Sequence, residues 1–97
     1  MTTPLTLTPG HHPDGTALLT ITGEIDMSNT QTLADALDDT TGRLVLDLTA
    51  VDYLDSAGLS ILFTHADRLT LITNPLLAPV LTISGLTGLA TVHPAHT

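Results

Sequence analysis

An Asp-Ser pair stands where a buried strand gives way to an amphipathic helix. The apolar run 44–48 is typical of a buried strand. Downstream, apolar residues recur at helical positions i, i+3, i+4 and i+7, namely Leu59, Leu62, Phe63 and Ala66. Asp55 and Ser56 therefore fall at a helix N-terminus, where backbone N–H groups lack partners and the helix dipole favours negative charge. A serine hydroxyl at that point is exposed and oriented, so this step predicts a site that can accept a phosphoryl group.

A purely structural role for the Asp-Ser pair is also open, because Asp and Ser are among the commonest helix N-caps. Gly58 is harder to explain by capping. Glycine in a first helical turn costs roughly 0.5–1 kcal/mol relative to alanine. We interpret Gly58 as a position where something approaches the backbone closely, either a neighbouring loop or another protein.

The rest of the chain alternates strand and helix patterns. Strands are predicted at 5–8, 17–22, 43–49, 69–73 and 89–92, with a turn-rich loop at 9–15 and a loose tail at 93–97. Helices are predicted after a capping box formed by Ser28 and Gln31, from about Ala57 to Ala66, and over Pro79–Ser84. The order implies an α/β fold: an N-terminal hairpin, a mostly parallel sheet of four or five strands, and flanking helices. We expect one domain over residues 1–97, with strand 43–49 buried on both faces.

Charge restricts the possible partners. Ten Asp and Glu residues face only Arg43 and Arg68, for a net charge of −8. Such a chain is repelled by nucleic-acid phosphates and anionic membrane surfaces, so we expect neither as a partner and favour a protein with a basic face.

No apolar run reaches the ~18–20 residues of a membrane helix. The first residues lack the features of a signal peptide and cysteine is absent, so we expect a cytoplasmic protein.

Several motifs together resemble the STAS domain family, in particular its bacterial anti-sigma factor antagonists. They are Gly23-Glu24-Ile25-Asp26, the strand 44–48, the segment 51–59 with its D-S-x-G step, and Ser84-Gly85-Leu86, spread over roughly residues 5–93. The resemblance implies a STAS-like fold and a partner-switching role, with no enzymatic activity and no cofactor of its own. Such an antagonist binds an anti-sigma factor, itself an ATP-dependent serine kinase, and so frees the sigma factor.

The same resemblance implies a phosphorylation site, because the serine that the family's kinases modify matches Ser56. The phosphorylated antagonist releases the kinase, and a separate serine phosphatase resets it. The implied partner surface comprises Glu24, Asp26, Asp55, Ser56, Ala57, Gly58 and Ser60. The chain departs from the family pattern after the D-S-x-G step, where about a turn or more of helix is missing.

Catalysis and metal binding have weaker support. A serine hydrolase needs a histidine beside Ser56 and often a G-x-S-x-G elbow, and nothing in the sequence supplies either. The pair His11-His12 and the pair His93 and His96 are metal candidates without a carboxylate or cysteine at ligand spacing, so no metal site is expected. Asp47, inside the central strand, has no functional explanation and needs a hydrogen-bond donor if it is buried.

A different function for the same fold is the main alternative. STAS-like domains also act as regulatory subunits of transporters and as scaffolds of stress-signalling assemblies, roles that need no phosphorylation. The identity of residue 56 as serine favours the switch. Whether the chain associates with itself is left open by the sequence.

Overall fold

A five-stranded sheet and three α-helices make up residues 5–94, the part of the chain that the computed structural model describes. The strands are β1 (Thr6–His11), β2 (Ala17–Ile25), β3 (Leu44–Leu54), β4 (Leu69–Thr73) and β5 (Thr91–Pro94). The helices are α1 (Thr30–Asp38), α2 (Ser56–Thr64) and α3 (Ala78–Ile83), with 3-10 turns at Ala66–Arg68 and Leu86–Gly88. This order confirms the predicted α/β class. Most of the predicted tail, residues 95–97, lies outside the described residues.

The sheet runs in the order β1-β2-β3-β4-β5, with β1 antiparallel to β2 and every other pair parallel. The predicted hairpin and mostly parallel sheet are therefore confirmed. Because each crossover advances by one strand in the same direction, right-handed connections place all three helices on one face. The core fills the space between that face and the helices; its fully buried side chains include Ile21, Leu46 and Leu71 from strands and Leu33, Leu62 and Leu81 from helices.

The other face of the sheet carries no helix within residues 5–94. Val45, Asp47 and Ile72 on that face are only half-buried. The prediction that the central strand is buried on both faces is therefore wrong, because all the crossovers lie on one side. Asp47 finds its donors locally: its Oδ1 accepts hydrogen bonds from Thr49 N (3.0 Å) and Thr49 Oγ1 (2.6 Å).

The hairpin is longer than predicted. Residues Pro9 to His11, predicted as loop, continue β1 and pair with β2. A proline is tolerated there because β1 is an edge strand, whose outer side needs no ladder hydrogen bonds. The tight turn that follows is fixed by Asp14, whose Oδ1 accepts a hydrogen bond from Thr16 N (2.9 Å). That bond lowers the pKa of Asp14 below its usual value.

Strand β3 extends to Leu54, five residues beyond its predicted end at Thr49. Two register shifts against β2 insert extra residues into β3, so that its buried positions become Leu48, Val51 and Leu54. A spacing of three matches neither the period of a strand nor that of a helix, which is why the pattern was missed. The shifts keep apolar side chains inward while the strand bends toward the D-S-x-G step.

Asn74 holds the irregular part of β3 after regular pairing with β4 ends at Asp47 and Ile72. Its side-chain nitrogen lies within hydrogen-bond distance of three β3 carbonyl oxygens, those of Leu48 (3.3 Å), Thr49 (3.1 Å) and Val51 (2.9 Å). Its Oδ1 accepts a hydrogen bond from the backbone N–H of Leu77, before α3. One amide thus replaces several missing ladder bonds.

Arg68 anchors the C-terminal end of α1, where carbonyl groups lack helical partners. Its guanidinium donates to the carbonyl oxygens of Leu37 and Gly42 and to Thr40 Oγ1 (3.2 Å). Helix α2 was predicted to reach Ala66 but ends at Thr64. The 3-10 turn that follows places Arg68 beside these carbonyl groups. Arg68, one of the two basic residues, therefore stabilises the fold through these hydrogen bonds.

Other element boundaries differ from prediction by small amounts. Helix α3 begins and ends one residue earlier than predicted, with Pro79 in its first turn. The last strand begins at Thr91, two residues later than predicted, because Leu86–Gly88 forms a 3-10 turn before it.

We predict that Asn74→Ala lowers the free energy of unfolding by about 1–3 kcal/mol, because it leaves backbone carbonyls of β3 without donors. The measurement is urea denaturation followed by circular dichroism. Thr82→Ala is the matched control, since Thr82 is exposed and its hydroxyl donates only to Ala78 O of its own helix. Equal midpoints for the two variants would contradict the role assigned to Asn74.

Candidate functional site

Asp55 links the two loops that follow β2 and β3. Its Oδ1 accepts a hydrogen bond from Gly58 N (3.0 Å), which makes it the N-cap of α2. Its Oδ2 accepts a second one from Met27 N (3.1 Å), in the loop between β2 and α1. The backbone N–H of Asp55 donates to Ile25 O (3.1 Å) at the end of β2. A single carboxylate therefore caps a helix and ties down the neighbouring loop.

Ser56 is the first residue of α2 and is exposed. Within the described part of the chain, its hydroxyl group makes no hydrogen bond, while its carbonyl oxygen accepts one from Ser60 Oγ (3.1 Å). The hydroxyl is therefore exposed to solvent, and the capped helix turn fixes the backbone that carries it. Ser60, one turn later, is also exposed, and Ala57 is half-buried.

The loop between β2 and α1 has its own hydrogen-bond network. Asp26 Oδ1 accepts from the backbone N–H (2.9 Å) and the hydroxyl of Ser28. Asn29 Oδ1 accepts from Asp26 N (3.0 Å), and Asn29 Nδ2 donates to Glu24 O (2.8 Å). The predicted capping box is therefore wrong: Asn29, not Ser28, is the N-cap residue, and Asn29 makes no side-chain capping bond, because both side chains serve the loop.

Gly58 is buried against the end of β2 and the end of β3. A Cβ atom at this position would lie 2.6 Å from Ile25 Cγ2 and 2.6 Å from Leu54 Cδ1. The close approach predicted for Gly58 is thus made by its own chain. It draws α2 against the sheet and so positions Ser56.

The predicted contact residues converge at one end of the sheet. Asp26 and Asp55 both bind backbone groups of the loop that contains Met27, and Ser56 follows Asp55 directly. Glu24 is half-buried and pairs with Tyr53 in the ladder between β2 and β3. These residues, at the ends of β2 and β3 and the start of α2, are the candidate site.

The family model described as the STAS domain matches residues 10–73, which include this site. The chain belongs to the STAS domain family.

Two relatives of this STAS domain carry names that describe a function. The anti-sigma-F factor antagonist RsfB of Mycobacterium tuberculosis is 38% identical over 69 residues, a match that covers 67% of this chain and 56% of RsfB. The crystal structure of an anti-sigma factor antagonist from Mycobacterium paratuberculosis superposes with a TM-score of 0.84 at 27% identity, covering 95% of this chain and 87% of that one. The chain thus matches only a little over half of the length of its curated relative.

The fold also matches the anti-sigma factor antagonist SpoIIAA in its unphosphorylated form. The TM-score is 0.70 at 13% sequence identity, and the match covers 94% of this chain and 89% of SpoIIAA. At 13% identity, this match shows a shared fold and nothing about function.

The candidate site contains no lysine or arginine side chain. Arg68 is half-buried at the end of α1, and Arg43 precedes β3. Since β3 is 11 residues long, Arg43 lies roughly 30 Å from Ser56, at the opposite end of the strand. These are the only Lys or Arg residues in the chain, so an anion on Ser56 would find no neutralising side chain there.

Two exposed apolar side chains beside the site were not predicted. Met27 is 79% exposed and Tyr53 is 49% exposed. Met27 stands in a polar loop and is held by Asp55, while Tyr53 lies two residues before Asp55 in β3. Large apolar residues inside otherwise polar motifs were the signal that could have revealed them.

Within residues 5–94, no three His, Asp or Glu side chains lie close enough to hold a metal ion. His65 contacts Arg68 (3.2 Å) and Asp38 (3.5 Å) beside the end of α1. In the same residues, no helix has the length and apolar character needed to cross a membrane.

We predict that Gly58→Ala destabilises the protein by about 1–3 kcal/mol, because its methyl group overlaps the β-branched side chain of Ile25, which is stiff. Gly88→Ala is the matched control, since no atom lies within 4 Å of the added Cβ there. Thermal or urea unfolding of both variants measures the difference. A stability of Gly58→Ala equal to that of the control would show that α2 can move away from the sheet freely.

Proposed function

We propose that this chain is an anti-sigma factor antagonist that binds an anti-sigma serine kinase, thereby frees its sigma factor, and is switched off by phosphorylation of Ser56. In this proposal the chain is not an enzyme; the kinase supplies ATP, and a separate serine phosphatase removes the phosphate. It acts as a single STAS domain over residues 1–97, in the cytoplasm. The partner surface comprises Glu24, Asp26, Asp55, Ser56, Ala57, Gly58 and Ser60.

The observation that carries the proposal is the exposed, unbonded hydroxyl of Ser56 on a helix turn fixed by Asp55. A kinase needs its substrate hydroxyl accessible and in line with the γ-phosphate. The turn meets the first requirement in the folded state, with no local unfolding. Gly58 acts indirectly, since it is buried and sets the position of α2. The choice of an anti-sigma factor as partner is supported by the names of RsfB and of the antagonist from Mycobacterium paratuberculosis.

Electrostatics supports release after phosphorylation. A phosphate adds about −1.5 to −2 charges at pH 7. It would join Asp26 and Asp55, and Asp55 already accepts hydrogen bonds from Gly58 and Met27. Because no basic side chain of this chain lies nearby, the added charge is not neutralised within the protein. Enclosing that charge in the contact costs desolvation free energy that the neutral hydroxyl group does not, so we expect phosphorylation to weaken the complex without a change of fold.

Two exposed apolar side chains complete the proposed surface. Met27 lies in the loop that Asp55 holds, and Tyr53 lies in β3, two residues before Asp55. Apolar anchors of this kind supply much of the energy of protein interfaces. The acidic residues would then set orientation and specificity, with basic groups on the kinase opposite them.

We predict that Ser56→Asp weakens binding of the cognate anti-sigma kinase by about tenfold or more, because it places a permanent charge in the interface. Ser56→Ala should bind as tightly as the wild type and should not accept phosphate from kinase and ATP. Isothermal titration calorimetry measures the affinities, and mass spectrometry maps the modified residue.

Thr41→Asp is the matched control for charge alone. Thr41 is exposed and precedes β3, so the substitution adds the same charge at the other end of the sheet. We expect it to bind like the wild type. If Ser56→Asp also binds like the wild type, or if Ser56→Ala is still phosphorylated, the switch is wrong. If the wild type binds no anti-sigma kinase, the antagonist function itself is wrong.

A further inference from the structure

The charges of this chain are distributed very unevenly. All ten acidic and both basic residues lie between Asp14 and Arg68, and none occurs from Leu69 to Thr97. In the fold, the uncharged segment contains β4, α3 and β5, which lie together at one side of the sheet. A protein with net charge −8 therefore has one uncharged side.

Exposed apolar side chains concentrate on that uncharged side. Of the six large hydrophobic residues exposed within residues 5–94, four belong to it: Leu76 (62%), Val80 (37%), Ile83 (87%) and Leu89 (60%). The first three recur at i, i+4 and i+7, so they share one face of α3 and the turn before it. We call these four residues the α3 flank.

The position of α3 in the fold explains why the α3 flank is uncovered. Leu77 and Leu81 face the core and are buried, whereas Val80 and Ile83 lie on another side of the same helix. Helices α1 and α2 are neighbours in the helical layer. Helix α3 connects β4 to the edge strand β5, so it is the last helix of that layer in residues 5–94. Exposed apolar side chains that cluster in one part of a fold often mark an interaction site.

We propose that two copies of this chain associate through their α3 flanks. Two molecules of net charge −8 repel one another over most of their surfaces. The α3 flank belongs to a segment without charged residues, so its own side chains bring no charge into the contact. A basic partner gains nothing from an uncharged face, whereas a second apolar, uncharged face matches it. A two-fold arrangement places the same patch on both sides of the contact.

Sedimentation velocity over a range of protein concentrations tests the proposal. We expect the mass of the wild type to rise from 10.1 kDa toward twice that value as concentration increases. Added salt should favour the dimer, because salt screens the remaining repulsion between acidic surfaces and the contact contains no ion pair. A wild type that stays monomeric at every concentration would overturn the proposal.

Charged substitutions locate the contact. Ile83→Asp should remain monomeric throughout, because it buries a carboxylate in each half of an apolar contact. Ile83 is 87% exposed, so the substitution leaves the core intact, which circular dichroism verifies. Met27→Asp is the matched control: it removes a 79% exposed apolar side chain at the acidic end and should dimerise like the wild type. If both variants dimerise, or if both stay monomeric, the α3 flank is not the contact.

Discussion

The carboxylate of Asp55 is the interaction on which the candidate site depends. It caps α2 through Gly58 N and holds the loop after β2 through Met27 N, so two segments far apart in sequence share one anchor. Hydrogen bonds to a charged acceptor are stronger than those between neutral groups. Ser56 owes its fixed, exposed position to this anchor and to the close packing of Gly58 against Ile25.

Two asparagine side chains also bridge separate backbone segments, where the sheet is irregular. Asn74 bonds carbonyl groups of β3 after its pairing with β4 stops, and Asn29 ties the end of β2 to the start of α1. Both bridge backbone groups that regular secondary structure leaves without partners. The bend of β3 that brings Asp55 to the end of β2 is therefore held by side chains as much as by the ladder.

The sequence predicted what periodicity and local chemistry control: the order of elements, the hairpin, the mostly parallel sheet and the capping role of Asp55. It failed where tertiary contacts decide. The spacing of Leu48, Val51 and Leu54 has no regular period, so the extension of β3 went unrecognised. Ser28 has the local signature of an N-cap, yet a bond to Asp26 takes its side chain. The burial of Gly58 depends on Ile25, 33 positions earlier in the numbering, and no local pattern reveals such a pair.

The distribution of charge distinguishes two surfaces of this protein. The acidic, hydroxyl-bearing end suits a partner with basic groups, and the uncharged flank of α3 suits a contact without charge. Amide hydrogen exchange in the wild type and in Asp55→Ala tests whether Asp55 joins the two loops. We expect faster exchange at both Met27 and Gly58 in the variant, and unchanged exchange at Leu77, whose N–H donates to Asn74. Faster exchange at Gly58 alone would show that Asp55 is only a helix cap and would contradict the account.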